Sequence, residues 1–105
     1  MKSTKKLTDE KTWDKVWEEH SLPQVFKGKD QPHYVDILDA FFHKYLLFNK
    51  NFEFLELGCA PGRWLHYFHT EFGYKVSGLD NSPIGFEITK KNLEILDVKA
   101  DLYFG

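Results

Sequence analysis

Several features that define large classes of proteins are scarce or missing in this 105-residue sequence. It has a single cysteine, Cys59, so it cannot form an internal disulfide of the kind that stabilises small secreted domains. No apolar run approaches the roughly 20 residues that cross a bilayer, and the opening MKSTKKLTDEKTW lacks the apolar core of a signal peptide. A formal net charge of -2 gives no broad attraction to nucleic acid or to an anionic membrane. We therefore expect a cytoplasmic protein without a membrane partner, and nucleic acid is not indicated.

Apolar volume is what the sequence has in plenty. Hydrophobic residues make up 42% of it and aromatic residues 17%, which is too much for an intrinsically disordered chain. The length allows one small hydrophobic core. We expect residues 1–8 to form a flexible tail and residues 9–105 to form a single domain.

Hydrophobic periodicity and turn residues predict an alternation of helices and strands. In chain order they predict helices over 13–20 and 34–48, a strand over 52–57, a helix over 64–72, a strand over 74–79, a helix from 83 and a weak strand over 99–104. The helix over 34–48 carries the most apolar residues, so we expect it to be the main packing helix. The alternation predicts an α/β fold, in which right-handed βαβ units build a parallel sheet.

The turn between the first predicted strand and the next helix, GCAPG at 58–62, consists of small residues. In an open parallel sheet, ligands bind beyond the carboxyl ends of the strands, where this turn lies. Gly58 and Gly62 permit tight main-chain geometry, and the side chains of Cys59 and Ala60 are small enough to let a ligand approach. The start of the following helix would suit a carboxylate or a phosphate.

Asp80 ends the second predicted strand, which should lie beside the first. A carboxylate at this place can accept hydrogen bonds from the two hydroxyls of a ribose, so one end of the ligand would be a nucleoside. A dinucleotide would favour the pattern G-x-G-x-x-G, and a phosphate-binding loop would continue with Lys after its last glycine. Here Gly62 is followed by Arg63 and Trp64, and the middle glycine is missing. Both phosphate interpretations are weakened.

The segments LELGCAPGRW and GLDNS together resemble the cofactor-binding part of the class I S-adenosylmethionine-dependent methyltransferases. In that family an acidic residue near the end of the first strand precedes a turn of the form G-x-x-x-G, and a second acidic residue ends the next strand. Glu56, Gly58, Gly62 and Asp80 match this pattern in type, order and spacing. The resemblance implies a Rossmann-like parallel sheet with helices, in a truncated version of about three strands that corresponds to the amino-terminal half of the usual fold.

The same resemblance implies an activity and a site. The cofactor would be S-adenosylmethionine, with S-adenosylhomocysteine as the product, and the methyl acceptor is unidentified, with a small molecule slightly preferred. The turn would line the methionine part of the cofactor, Glu56 would reach its ammonium group, Asp80 would hold the ribose, and residues 81–82 would lie near the adenine. The implied cofactor-binding residues are Glu56, Gly58, Cys59, Ala60, Gly62, Asp80, Asn81 and Ser82. No catalytic residue is assigned.

Two other interpretations stay open: a Rossmann fragment of an NAD(P)-dependent oxidoreductase, and a noncatalytic nucleoside-binding or scaffold fragment. His66, His69 and Glu71 have a spacing that admits a metal on a helix, but a solvated helix face explains them better and we expect no metal. We expect Cys59 to fill space in the loop rather than to react. If the helices lie on one face of the sheet, the other face and the first strand's edge are bare. That arrangement predicts a homo-oligomer or a piece of a longer protein.

Overall fold

The computed structural model describes residues 21–105. Three helices and three strands follow one another in this part: α1 His33–Tyr45, β1 Glu53–Leu57, α2 Arg63–Phe72, β2 Lys75–Asp80, α3 Pro83–Ile95 and β3 Ala100–Phe104. The predicted tail over 1–8, the domain boundary at residue 9 and the predicted helix over 13–20 lie outside the described residues. Of the helices in residues 21–105, none combines the length and the apolar character that a membrane crossing needs.

The three strands form one parallel sheet in the order β1-β2-β3. Phe54 of β1 is level with Val76 of β2, which is level with Ala100 of β3. The prediction of an α/β fold with a parallel sheet is therefore confirmed, and the strands begin or end one residue from the predicted positions. Each pair of neighbouring strands is joined by one helix, as βαβ units require.

The helix ends follow from local chemistry. Gly73 adopts a left-handed conformation with φ of 75° after α2, and its N–H donates to the carbonyl oxygen of His69. The Ser82 side chain caps α3 by accepting a hydrogen bond from the N–H of Gly85, with Pro83 in the first turn. Both ends were predicted from the sequence, because caps depend on residues close together in the chain.

Helices α2 and α3 cover the same face of the sheet. The ring of Phe68 on α2 lies 4.4 Å from that of Phe54 on β1, and Phe86 on α3 lies 6.0 Å from Phe104 on β3. Phe54 and Phe104 occupy alternate positions that point to one side of the sheet. The hydrophobic core therefore lies between these two helices and the sheet, and it extends on the outer side of α2 to Phe26 and to Val35 of α1.

The expectation that the helix over 34–48 is the main packing helix is wrong. Helix α2 buries four large or medium apolar side chains, whereas α1 buries only Val35 and ends at Tyr45. More than half of the surface is exposed at Tyr34, Ile37, Phe41 and Tyr45. The physical reason is position: α1 contacts α2 through Phe42, whose ring lies 5.2 Å from Phe68, so only one side of α1 faces the core.

The opposite face of the sheet is open within residues 21–105. Leu55 and Leu57 of β1 are 60% and 73% exposed, and Tyr103 of β3 is 55% exposed. Along β1 and most of β3 these exposed side chains alternate with half-buried ones, as the strand period of two requires. Strand β1 is also an edge strand in this sheet. The bare face and the bare edge that the sequence predicted are thus both present in the described part.

Candidate functional site

The turn that follows β1 is held against the end of β2. The N–H of Gly58 donates to the carbonyl oxygen of Leu79 at 2.8 Å, and the N–H of Gly62 closes the turn on the carbonyl oxygen of Cys59 at 2.6 Å. Gly58 and Gly62 have φ values of 71° and 94°, a region that residues with a side chain rarely adopt. A Cβ on Gly58 would have no atom within 4 Å. The main chain at Gly58 is therefore open to a ligand.

Asp80 joins the two loops that the sequence placed at one edge of the sheet. One of its carboxylate oxygens accepts from the N–H of Ala60 and the other accepts from the N–H of Ser82, both at 3.0 Å. The turn after β1 and the end of β2 are thus in direct contact. Asp80 is only 6% exposed, so its first role here is to fix the loops. Each oxygen keeps a second lone pair, which a hydroxyl donor could use through a narrow approach.

Glu56 carries a carboxylate oxygen without a partner. Its Oε1 atom is buried and accepts no hydrogen bond from any group in residues 21–105. Burial raises the pKa of Glu56 to about 7; the charge of Arg63 lowers it and the charge of Asp80 raises it further. A buried acid of this kind is costly to ionise unless a cation pairs with it. The end of β1 is therefore arranged to receive a positive charge.

Cys59 lies beneath the turn. It is 3% exposed, and its Sγ atom sits directly over Gly78, where a Cβ would approach to 2.7 Å. Burial raises the pKa of the Cys59 thiol to about 12, and the charges of Asp80 and Glu56 act in the same direction. The thiolate is disfavoured, so the side chain fills space, as expected from the sequence.

The remaining predicted residues differ in what they present to a ligand. Asn81 is exposed, whereas Ser82 is 1% exposed and its hydroxyl accepts from the N–H of Gly85. Gly62 is buried against α3, and Ala60 is half-buried beside Asp80. The structure brings all eight predicted residues to the carboxyl edge of the sheet. Their contact with a cofactor stays a prediction.

Asn92 is a residue of this region that the sequence interpretation missed. It is fully buried on α3, and its side-chain amide donates to the carbonyl oxygen of Pro61 at 2.8 Å. A polar residue between the apolar positions of a helix is a signal for such a role, since buried amides need partners. Thr89, one turn earlier on the same side of α3, is also fully buried.

A polar cluster lies apart from this edge, between α1 and α2. Lys27 Nζ is 2.9 Å from Asp39 Oδ2 and 3.5 Å from Glu71 Oε1, and His43 Nε2 is 2.9 Å from Glu71 Oε1. The atoms of Asp39, His43 and Glu71 that could ligate a metal ion lie within 4.8 Å of one another, but the ammonium group of Lys27 already supplies a cation there. Among the described residues, the Glu71 carboxylate therefore contacts both Lys27 and, on α1, His43.

Comparison with known proteins supports the fold. No family model matches the sequence, and no curated protein matches it either. Solved structures do match. A SAM-dependent methyltransferase from Anabaena variabilis is 22% identical over 100% of this chain, with a TM-score of 0.53. Geranyl diphosphate C-methyltransferase from Streptomyces coelicolor, solved with S-adenosyl-L-homocysteine, is 11% identical over 91% of the chain, with a TM-score of 0.59. The chain has the fold of class I methyltransferases.

A third match with this methyltransferase fold is a protein of echinomycin biosynthesis, in which a disulfide bond is converted into a thioacetal group. It is 23% identical over 91% of this chain, with a TM-score of 0.58. The chain spans 40%, 48% and 38% of the lengths of the three structures in the order given. The expectation of a partial, three-strand version of the class I methyltransferase fold is confirmed.

Proposed function

We propose that this chain is the cofactor-binding part of an S-adenosylmethionine-dependent methyltransferase. The ligand would lie over the turn at 58–62 at the carboxyl edge of the sheet. Glu56 would accept a hydrogen bond from its ammonium group, the turn would line its methionine part, and Asp80 would hold its ribose. Asn81 and the main chain of Ser82 would border the adenine.

The observation that carries this proposal is the unpartnered Oε1 atom of Glu56 beside an open turn. S-adenosylmethionine brings both an ammonium group and a sulfonium to such a site. A cation there would satisfy the buried Oε1 atom of Glu56, which has no hydrogen-bond partner in residues 21–105. The direct contact between Ala60 and Asp80 further supports a single ligand that reaches both loops.

The same observation weighs against a dinucleotide. A pyrophosphate over the turn would bring negative charge towards the carboxylate of Glu56, whose Oε1 atom is buried. Ala60 also occupies the place of the glycine that would let a pyrophosphate approach the main chain. An NAD(P)-dependent oxidoreductase fragment is therefore the weaker interpretation.

When bound, S-adenosylmethionine supplies an electrophilic methyl group, and the chain's own residues would hold and orient it. Methyl transfer depends on alignment of the acceptor with the methyl–sulfur bond, so the acceptor site matters as much as the cofactor site.

We propose a small-molecule acceptor, because the net charge of -2 provides no basic surface for nucleic acid. We also propose that residues 9–105 act as one domain in the cytoplasm. No side chain is assigned as a general base.

Isothermal titration of the 105-residue chain with S-adenosylhomocysteine and with NADH tests the cofactor. We expect binding of S-adenosylhomocysteine and no heat with NADH; the reverse result would establish the oxidoreductase interpretation instead. Asp80→Ala should weaken S-adenosylhomocysteine binding about tenfold or more, because charged hydrogen bonds of this kind contribute about 1.5–3 kcal/mol. Asp101→Ala, an exposed acid of β3, is the matched control and should bind like wild type.

Methyl transfer is tested separately from binding. Incubation with radiolabelled S-adenosylmethionine and a panel of small thiols, amines and hydroxyl compounds should label one class of acceptor. Binding without transfer to any member of the panel, or to RNA, would favour a noncatalytic nucleoside-binding fragment.

A further inference from the structure

One buried side chain holds two distant segments of the chain beside the turn at 58–62. Asn92 is 0% exposed, and its Nδ2 donates to the carbonyl oxygen of Pro61 at 2.8 Å and to that of Gln24 at 2.9 Å. Its Oδ1 accepts from the N–H of Gln24 at 2.8 Å. The amide therefore uses both of its donor hydrogens and one acceptor position on main-chain groups.

The segment that Asn92 holds also contacts α2. Phe26 stacks on the ring of Trp64 with the centroids 4.1 Å apart, and its edge meets Tyr67 at 5.0 Å. Gln24 and Phe26 thus link α3 to the first turns of α2, next to the point where the chain leaves Pro61. Asn92 is the residue that ties α3 to both the segment and the turn.

Contacts from the sheet and from α3 fix the turn at 58–62 on two sides. From the sheet, Leu79 accepts from the N–H of Gly58 and Asp80 accepts from the N–H of Ala60. From the helices, Asn92 donates to Pro61, and Thr89 and Leu93 pack against Gly62. Loss of the Asn92 amide would leave the buried carbonyl of Pro61 and the part-buried main-chain groups of Gln24 without these partners, which is unfavourable. The helix side of the turn would then lose its directional contact.

We propose that Asn92 is a positioning residue for the cofactor turn, which sets the affinity for S-adenosylmethionine through the Pro61 carbonyl without touching the cofactor. This inference rests on the function proposed above. It differs from a purely structural role because it predicts that the loss of Asn92 alters the geometry of residues 58–62 while the sheet keeps its stability. Small displacements of a binding loop lower affinity even when the fold persists.

The experiment compares Asn92→Ala and Asn92→Asp with wild type in the full chain, well below the melting temperature of each. Ala is small and favours helix, and Asp keeps the size and the acceptor but loses both donated bonds. We expect the Kd for S-adenosylhomocysteine to rise about tenfold in both variants. We also expect faster hydrogen exchange at the amides of Ala60 and Gly62, with unchanged exchange in the middle of β2.

Two controls separate this effect from general destabilisation. Val35→Ala removes core packing on α1 and should lower the melting temperature while it leaves the Kd and the turn amides unchanged. Gln24→Ala removes a side chain but keeps the main-chain groups that Asn92 contacts, so it should match wild type.

If wild type binds S-adenosylhomocysteine and both Asn92 variants bind it equally tightly, the positioning role is overturned and the proposed function stays intact. Exchange that accelerates equally in β2 and in the turn would overturn it as well, since that is the pattern of lost global stability. A wild-type chain that does not bind S-adenosylhomocysteine overturns the proposed function and the affinity role together. The exchange pattern would then still decide whether Asn92 holds the turn.

Discussion

At pH 8, the replacement of Glu56 by glutamine should make the protein more stable and a poorer binder of S-adenosylhomocysteine. Burial raises the pKa of Glu56 from its ordinary value of 4.5 to about 7. Between these two pH values the folded chain keeps a proton that the unfolded chain has lost. The contribution of Glu56 to stability is therefore fully present below pH 4.5 and is lost as the pH rises through about 7. Glutamine cannot ionise, so Glu56→Gln removes this loss.

The size of the effect follows from the pKa difference. For a fully buried group, a pKa raised from 4.5 to about 7 corresponds to about 3.4 kcal/mol in the free energy of unfolding. Glu56 is only partly buried, and solvent screens its charge, so we expect about 1–2 kcal/mol at pH 8 and no difference at pH 4.5. A domain of this length should then melt about 5 °C or more above wild type at pH 8.

Urea unfolding of both proteins from pH 4.5 to 8 measures this difference directly, and other titrating groups cancel because both chains contain them. Glu53→Gln is the matched control, since Glu53 lies on the same strand with an exposed side chain and should change nothing. At pH 8 the Glu56→Gln variant should bind S-adenosylhomocysteine about tenfold or more weakly, because the ammonium group of the ligand loses a charged partner. A stability difference that does not depend on pH, or equal affinities, would refute the reasoning.

Three further predictions test the surrounding structure. Gly62→Ala should destabilise the fold by about 1–3 kcal/mol, because φ is 94° and the new Cβ would lie 3.1 Å from Thr89. Gly58→Ala has the same kind of backbone strain, with φ of 71°, but no crowding of the new Cβ, so it should destabilise the fold less and should also reduce the affinity for S-adenosylhomocysteine. Urea titration and calorimetry separate the two variants, and identical profiles would contradict the turn geometry. Cys59 should react with iodoacetamide at pH 8 roughly a thousandfold more slowly than in urea, because its pKa is raised to about 12 and the thiolate is the reactive form. Equal rates would count against its burial. Because the apolar face around Leu57 is exposed, we expect the protein to self-associate as its concentration rises, and Leu57→Lys should reduce this association. A wild-type monomer in light scattering at high concentration would contradict this prediction.

The sequence by itself determined the features that depend on neighbouring residues. The order of helices and strands followed from hydrophobic periodicity, and the ends of α2 and α3 followed from Gly73 and Ser82. The small-residue turn and Asp80 also appeared in the sequence, because parallel strands bring their carboxyl ends to one edge. The structure adds the contact between Ala60 and Asp80, which spacing made plausible.

Only the tertiary structure decided which apolar surfaces are buried and which polar groups are satisfied. Helix α1 carries more apolar residues but packs on one side of α2, so α2 contributes more side chains to the core. The unpartnered oxygen of Glu56 and the three hydrogen bonds of Asn92 depend on groups that are remote in sequence; Asn92 is 31 positions from Pro61 and 68 from Gln24. Periodicity reports which side of an element is apolar. What lies against that side is set by long-range packing, which a local pattern does not contain.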